Sequence, residues 1–339
     1  MRVILAYLGS AAGAAALAWL RESRGAEVVT VTVDLGQGRE LEAVRDRALA
    51  LGAVRAHVLD LRERFVQDFV VPALRADAVH DGAVPPALAL SQAILANALA
   101  DIARIERTTH VAHTGGTQMH ASRLDRLLAD LSPSLQVIAV QRETDLTRAN
   151  DRDPAAVVRD DAHVNVWGRT MPQRERSGDP GATRKGQEGD SSAAAMVEVS
   201  FAGGVPAALN GVSMPLTELI ASLGTLGATH GVGRVSNAAL VCDAPAAVVL
   251  QAAHRDLTLA AVPADVAHFS ATVTAAYVNL IESGRWFSPL RDTLDACVEQ
   301  VQRAVTGTVR VRLSQGLVST LSTTPAPATA RPRAGRVVS

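Results

Sequence analysis

Aromatic side chains are scarce in this chain: Phe, Trp and Tyr together make up 3% of its residues. A core for 339 residues therefore has to be assembled from Ala, Val and Leu, within a chain that is 48% hydrophobic and 20% charged, the balance of a globular protein. Cysteine is almost absent. Cys242 and Cys297 stand alone in apolar surroundings, which excludes a disulfide framework and a thiolate metal site and fits a reducing compartment. Neither sign of charge dominates: 33 Lys and Arg face 34 Asp and Glu, and a net charge of −1 argues against a general nucleic-acid binder. Long uncharged apolar runs are missing beyond the first twenty residues, so no membrane association is expected. Arg2 followed by an apolar stretch to Leu20 has the outline of a signal peptide, but Gly9 interrupts it and residues 28–34 read as a second core strand. A strand–turn–helix start and a cytoplasmic location are the expectation. Ligand spacing is lacking too. His110 and His113 point oppositely if they share a strand, and His120 adds no second motif, so no metal site is expected.

What is present is alternation. Short apolar runs at 3–7, 28–33, 56–59, 110–113 and 136–140 are separated by helical patterns at 11–21, 40–51, 61–69, 87–107 and 122–131. That order predicts an α/β fold: a doubly wound parallel sheet with helices on both faces and ligands at the carboxyl ends of its strands. The second half reads as α+β, with strands at 196–201, 205–209 and 309–313 and helices at 215–223, 264–282 and 289–305. The expected domains are 1–165, nucleotide-binding in type, and 166–319. Residues 173–192, dense in Arg, Gly, Ser, Asp and Gln, read as a mobile loop, and the Thr/Pro/Ala/Arg-rich tail 320–339 as disordered.

The most informative segment is Leu5-Ala6-Tyr7-Leu8-Gly9-Ser10-Ala11-Ala12-Gly13-Ala14. A strand, a tight glycine turn and a helix N-terminus form an anion site, because unpaired backbone N–H groups and the helix dipole face the ligand. Ser10 is its one polar side chain. Ala6, Tyr7, Gly9, Ser10 and Gly13 are the candidate phosphate contacts, and no side chain in the turn is suited to catalysis.

Other segments carry a pattern of their own. They include Thr32-Val33-Asp34-Leu35-Gly36-Gln37, Asn165-Val166-Trp167-Gly168-Arg169-Thr170, Gly204-Val205-Pro206-Ala207-Ala208-Leu209-Asn210-Gly211, His230-Gly231-Val232-Gly233-Arg234, Trp286-Phe287-Ser288-Pro289-Leu290-Arg291 and Val305-Thr306-Gly307-Thr308-Val309-Arg310. Through these, in order along most of its length, the chain resembles the argininosuccinate synthase family, a branch of the N-type ATP pyrophosphatases. The resemblance implies a nucleotide-binding domain followed by a synthetase and multimerisation domain, ATP with Mg²⁺, and a homo-oligomer. It also implies AMP-forming ligation of citrulline to aspartate in arginine biosynthesis. In the family the opening turn reads Ala-Tyr-Ser-Gly-Gly-Leu-Asp-Thr-Ser. Here Leu8 replaces its Ser, Ser10 a Gly, Ala12 the Asp, Gly13 the Thr and Ala14 the final Ser. In the amino-acid site, Val84, Leu88 and Gln92 replace a Tyr, a Thr and an Arg, and in the next motif Thr117, Met119 and His120 replace Lys, Asn and Asp. By resemblance Arg123 meets the citrulline carboxylate, Thr170 aligns with a substrate-contacting Ser, and Glu175 with a family Glu. After Arg234 a substrate-closing stretch is missing.

Frame residues stay while site residues go. The reading that follows is a pseudoenzyme, a scaffold or regulatory subunit assembling with itself or with an active synthase. Two alternatives stand beside it: a ligase that adenylates another small substrate in a pocket made apolar by Val84, Leu88 and Met119, and a residual argininosuccinate synthase.

Overall fold

The computed structural model describes residues 1–38, 41–114, 118–140, 164–172, 194–237 and 240–327. The first half runs β1 (Arg2–Ala6), α1 (Ala11–Arg24), β2 (Glu27–Asp34), α2 (Leu41–Ala50), β3 (Arg55–Asp60), α3 (Arg62–Phe65), a π-helical turn (Val66–Val70), α4 (Val71–Arg75), α5 (Ala87–Ile105), β4 (His110–His113), α6 (Gln118–Leu131) and β5 (Gln136–Ala139). Its five strands form one parallel sheet in the order β3-β2-β1-β4-β5. The sequence of β2, Val-Val-Thr-Val-Thr-Val between two acidic residues, is buried on both faces, as a central parallel strand requires. Strand order reverses at β1 and β4, which places the carboxyl end of β1 at the crevice where such sheets bind ligands.

Helical periodicity alone predicts one helix over 61–69; the chain instead makes α3, the π turn and α4. Pro72, in the first turn of α4, has no N–H to continue a regular ladder, and the wider turn before it absorbs the break. The helix α5 is long and apolar enough to cross a membrane by composition, yet Leu90, Ile94 and Leu99 are completely buried within the protein, as in a core helix.

The second half comprises β6 (Val164–Asn165), β7 (Gly168–Pro172), β8 (Ala195–Ala202), β9 (Val205–Leu209), β10 (Val212–Ser213), α7 (Leu216–Thr229), β11 (Arg234–Ser236), β12 (Leu240–Asp243), α8 (Pro245–Ala261), α9 (Ala264–Glu282), α10 (Pro289–Gln302), β13 (Gly307–Ser314) and β14 (Leu317–Pro325). Two antiparallel sheets result, β10-β9-β8-β13-β14 and β11-β12-β7-β6. One expectation needs correction: residues 320–325 are not disordered but belong to β14, which pairs with β13 from Leu317 to Pro325. Threonine-rich composition reads as low complexity, but β-branched residues favour strands. The loop expected at 173–192 and the tail from 328 lie outside the described residues.

Four of the ten aromatics gather where the halves meet. Phe69 stacks on Trp286 at 5.3 Å between centroids, Phe65 lies 6.3 Å from Phe69, and Tyr277 meets Trp286 edge-on. Arg291 lies over the Trp286 ring at 3.9 Å. These rings belong to the core cluster that runs through both halves.

Candidate functional site

The turn after β1 keeps the geometry of an anion site. Gly9 has φ 75°, which lets the chain reverse out of the strand. Ser10, extended at φ −76° and ψ 160°, caps α1: its hydroxyl accepts from the Gly13 N–H at 3.1 Å, and its carbonyl accepts from the Ala14 N–H at 3.0 Å. The Gly13 amide is thus engaged by the cap. A Cβ at Gly13 would stand 3.0 Å from the Tyr7 ring. Ala11 and Ala12 occupy the first helical turn, where the helix supplies no acceptor for the N–H groups, and the Ser10 hydroxyl still has its hydrogen to donate.

Ala6 and Tyr7 hold the turn in place. Tyr7 is fully buried in the cluster with Leu5, Leu17 and Leu20. Its N–H donates to the Val31 carbonyl at 2.9 Å, and its carbonyl accepts from the Thr32 hydroxyl at 2.7 Å. Burial raises the phenol pKa, with the Arg47 charge pulling the other way. Ala6 packs against the other core cluster.

The end of β2 forms the neighbouring rim. Asp34 accepts from the Gly36 N–H at 2.8 Å, and Gln37 closes the turn by accepting from Leu35 and donating to the Val33 carbonyl. Gly36, at φ 91°, admits Val166 so closely that a Cβ there would overlap the Val166 side chain, and the Val166 N–H donates to the Leu35 carbonyl. Asn165 completes this junction. Its amide donates to the Ala87 carbonyl at 3.0 Å and to the Ser91 hydroxyl at 2.7 Å, and its oxygen accepts from the Trp167 and Gly168 N–H groups at 2.8 and 3.1 Å. One buried side chain thereby joins the start of α5 to the β6–β7 turn, a role that sequence reasoning did not assign. Its place two residues before Trp167 in a turn is the signal that pointed to it.

Arg123 is not a solvated arginine. It is 5% exposed, and all three guanidinium nitrogens are engaged: Nε with the Glu282 carbonyl at 2.9 Å, Nη1 with Gln92 at 3.0 Å and Nη2 with the Glu282 carboxylate at 2.6 Å. Arg123 thereby ties α6 to α5 and α9. Thr170 is likewise buried, with its hydroxyl 3.8 Å from Cys242 Sγ across the β7–β12 pair. Burial pushes the Cys242 thiol up to about 11, so it is no nucleophile. Val84 and Leu88 are buried as well, which leaves them as filling rather than as walls of an open apolar pocket. The side chains of Met119 and His120, the segment at Thr117, and Glu175 lie outside the described residues. His113 donates from Nε2 to the Asp125 carboxylate at 2.8 Å, a structural pairing.

After Arg234, β11 and β12 pair as an antiparallel hairpin. Asn237 holds its turn through Leu240 and reaches across to Asp81, with Nδ2 to Oδ2 at 3.0 Å. A bidentate Arg234–Asp243 pair at 2.8 and 3.1 Å fastens its base.

Comparison with known proteins places this frame. The family model "Arginosuccinate synthase N-terminal HUP domain" matches residues 2–157, and "Arginosuccinate synthase C-terminal domain" matches residues 182–326. The chain is 35% identical to the argininosuccinate synthase of Rubrobacter xylanophilus, covering 93% of this chain and 83% of that one. It is 34% identical to that of Dehalococcoides mccartyi and 33% to that of Brevibacillus brevis, over 93% of this chain and 84% and 82% of theirs. The chain belongs to the argininosuccinate synthase family. Segments that carry the family resemblance are packing elements here: Trp167 and Trp286 are each 1% exposed. Gly168 leaves room for Ala244 and Cys242, which a Cβ would crowd at 2.8 and 3.2 Å.

As to cofactors, the turn fits a phosphate through backbone N–H groups and Ser10. For Mg²⁺ it offers no carboxylate, Ala12 standing where a family Asp would be.

Proposed function

We propose that this protein is a slow, AMP-forming ligase of the argininosuccinate synthase type, joining citrulline to aspartate in the cytoplasm. The observation that carries the reading is the intact Gly9–Ser10 cap at the carboxyl end of β1, in a chain alike to named argininosuccinate synthases over 93% of its length. ATP, when bound, supplies the AMP that activates the ureido oxygen and the pyrophosphate that leaves. The chain's own contribution is positional: the first amides of α1, the Ser10 hydroxyl and the positive end of the helix dipole hold the phosphates. By the resemblance, Leu8, Gly13 and Ala14 stand where the family has hydroxyls and Ala12 where it has a carboxylate, and loss of a donor to developing charge lowers turnover by roughly 10²–10³. The test is conversion of labelled aspartate to argininosuccinate with ATP, Mg²⁺ and citrulline, beside the Rubrobacter protein. Formation that requires all three substrates, at a rate lower by on the order of 10²-fold or more, supports the reading; no product above the no-enzyme background overturns it.

A second reading, a noncatalytic scaffold that assembles with itself or an active synthase, is favoured by the full engagement of Arg123 by Glu282 and Gln92. In that case the same assay yields nothing, while addition of this chain to an active synthase changes that enzyme's sedimentation.

A further inference from the structure

The edges of the three sheets are not alike. An edge strand offers a row of unpaired N–H and C=O groups to any other chain, and short length or charge is the usual protection. Among the described residues, β10 and β6 are two residues long and β11 three, too short to act as templates. β5 has four residues, and β3 carries Arg55, His57 and Asp60. β14 has neither protection. It runs for nine residues, Leu317-Val318-Ser319-Thr320-Leu321-Ser322-Thr323-Thr324-Pro325, with no charged side chain and its one proline at the very end. Leu317 and Leu321 are 68% and 49% exposed, and residues 319, 320 and 322 are exposed beside them. No described strand pairs with its outer edge.

Two further features bear on what covers this edge. Pairing with β13 from Leu317 to Pro325 already holds the strand extended, so a new partner has little ordering to impose on it. The register shifts between Arg310 and Val311, and Leu321 is the extra residue on β14. This bulge stands at the middle of the strand and divides it into equal halves, 317–320 and 322–325. We propose that β14 pairs antiparallel with β14 of a second copy of this chain, about a two-fold axis at Leu321. Each first half then lies against the other copy's second half, and the two bulged leucines meet at the axis as an apolar cross-strand pair. Charge decides for a second copy as the occupant. Self-pairing about an axis sets any charged residue near its own like, and this strand has none to set; on the face beside it, Arg310 is already matched by Glu198 at 2.7 Å. The two sheets become one, continuous across both copies.

The experiment is sedimentation of the full chain over roughly 1–100 μM, with hydrogen exchange of the peptides spanning 317–325 followed at both ends of that range. The expected result is reversible dimerisation with a dissociation constant on the order of 10 μM, since a strand pairing is small among specific interfaces. Exchange in β14 slows as concentration rises. Leu321→Lys sets two ammonium groups together at the axis and weakens association by at least ~10-fold, while Leu321→Val stays within about 3-fold of the wild type. At the lowest concentration, where all three are monomeric, their melting temperatures agree, because the site is exposed. A chain that stays monomeric throughout overturns the proposal, as does association that a folded Leu321→Lys leaves unmoved. Protection of β14 that is independent of concentration overturns it too, and means that the edge is covered within one copy. Should Leu321→Lys fail to fold, exchange in the wild type alone decides. None of these outcomes depends on ligase activity.

Discussion

Asn165 shows how much one side chain can hold. Its four hydrogen bonds are all buried, so removing it strands the Trp167 and Gly168 N–H groups away from water. Unmet buried donors cost about 1–3 kcal/mol each, and Asn165→Ala is expected to destabilise by about 2–4 kcal/mol. Urea unfolding measures this; a loss under about 0.5 kcal/mol would mean that water or a neighbour replaces the amide. Legibility at this scale was uneven. The Gly9 turn and the start of α1 were readable because a glycine turn and a helical pattern are local features; the Ser10 cap was not assigned. Arg123 was not, because Glu282 lies 159 positions away and nothing local forecasts a long-range ion pair. Tyr7 was read as a ligand contact from its place in the turn, whereas burial turned its ring against Gly13 and α1.

At the scale of elements, period-2 and period-3.6 patterns located the parallel sheet and most helices, since each pattern marks a buried face. They did not reveal the β6–β7 and β11–β12 hairpins. Those strands are two to five residues long and take their definition from partners rather than from their own sequence. A second element-level feature lies at the opposite end of the sheet from the site. Glu106, just after α5, is 5% exposed and joins Arg2 of β1 to Arg55 and His57 of β3. Burial pushes its carboxyl up, but hydrogen bonds from His57 and Arg55 and the charges of Arg55 and Arg2 outweigh this and hold it below the ordinary range. A depressed folded pKa contributes stability that is present above the unfolded value, about 4.3, and is lost as pH falls through the folded value. Glu106→Gln is therefore expected to be less stable than the wild type at neutral pH, with the difference shrinking below roughly pH 4. Paired unfolding curves at several pH values check it; a difference independent of pH would assign the cost to packing.

Over the whole molecule, four of the ten aromatics, Phe65, Phe69, Tyr277 and Trp286, sit where one core must serve two halves. The frame of the family is kept by burial, and the turn after β1 has the backbone geometry of a capped helix start. The family was legible from sequence because its packing segments, such as those around Trp167 and Trp286, occur in order along the chain; the activity depends on groups whose partners are set by the fold. The central claim is that backbone amides and Ser10 still bind nucleotide phosphate. Its most direct test is equilibrium binding of ATP·Mg²⁺ to the wild type and to Ser10→Asp. Aspartate caps a helix as well as serine does, so the fold is retained, but its charge repels phosphate at that spot. The account predicts saturable binding to the wild type and at least ~10-fold weaker binding to the variant at equal melting temperature. No binding by the wild type, or equal binding by both proteins, would contradict it.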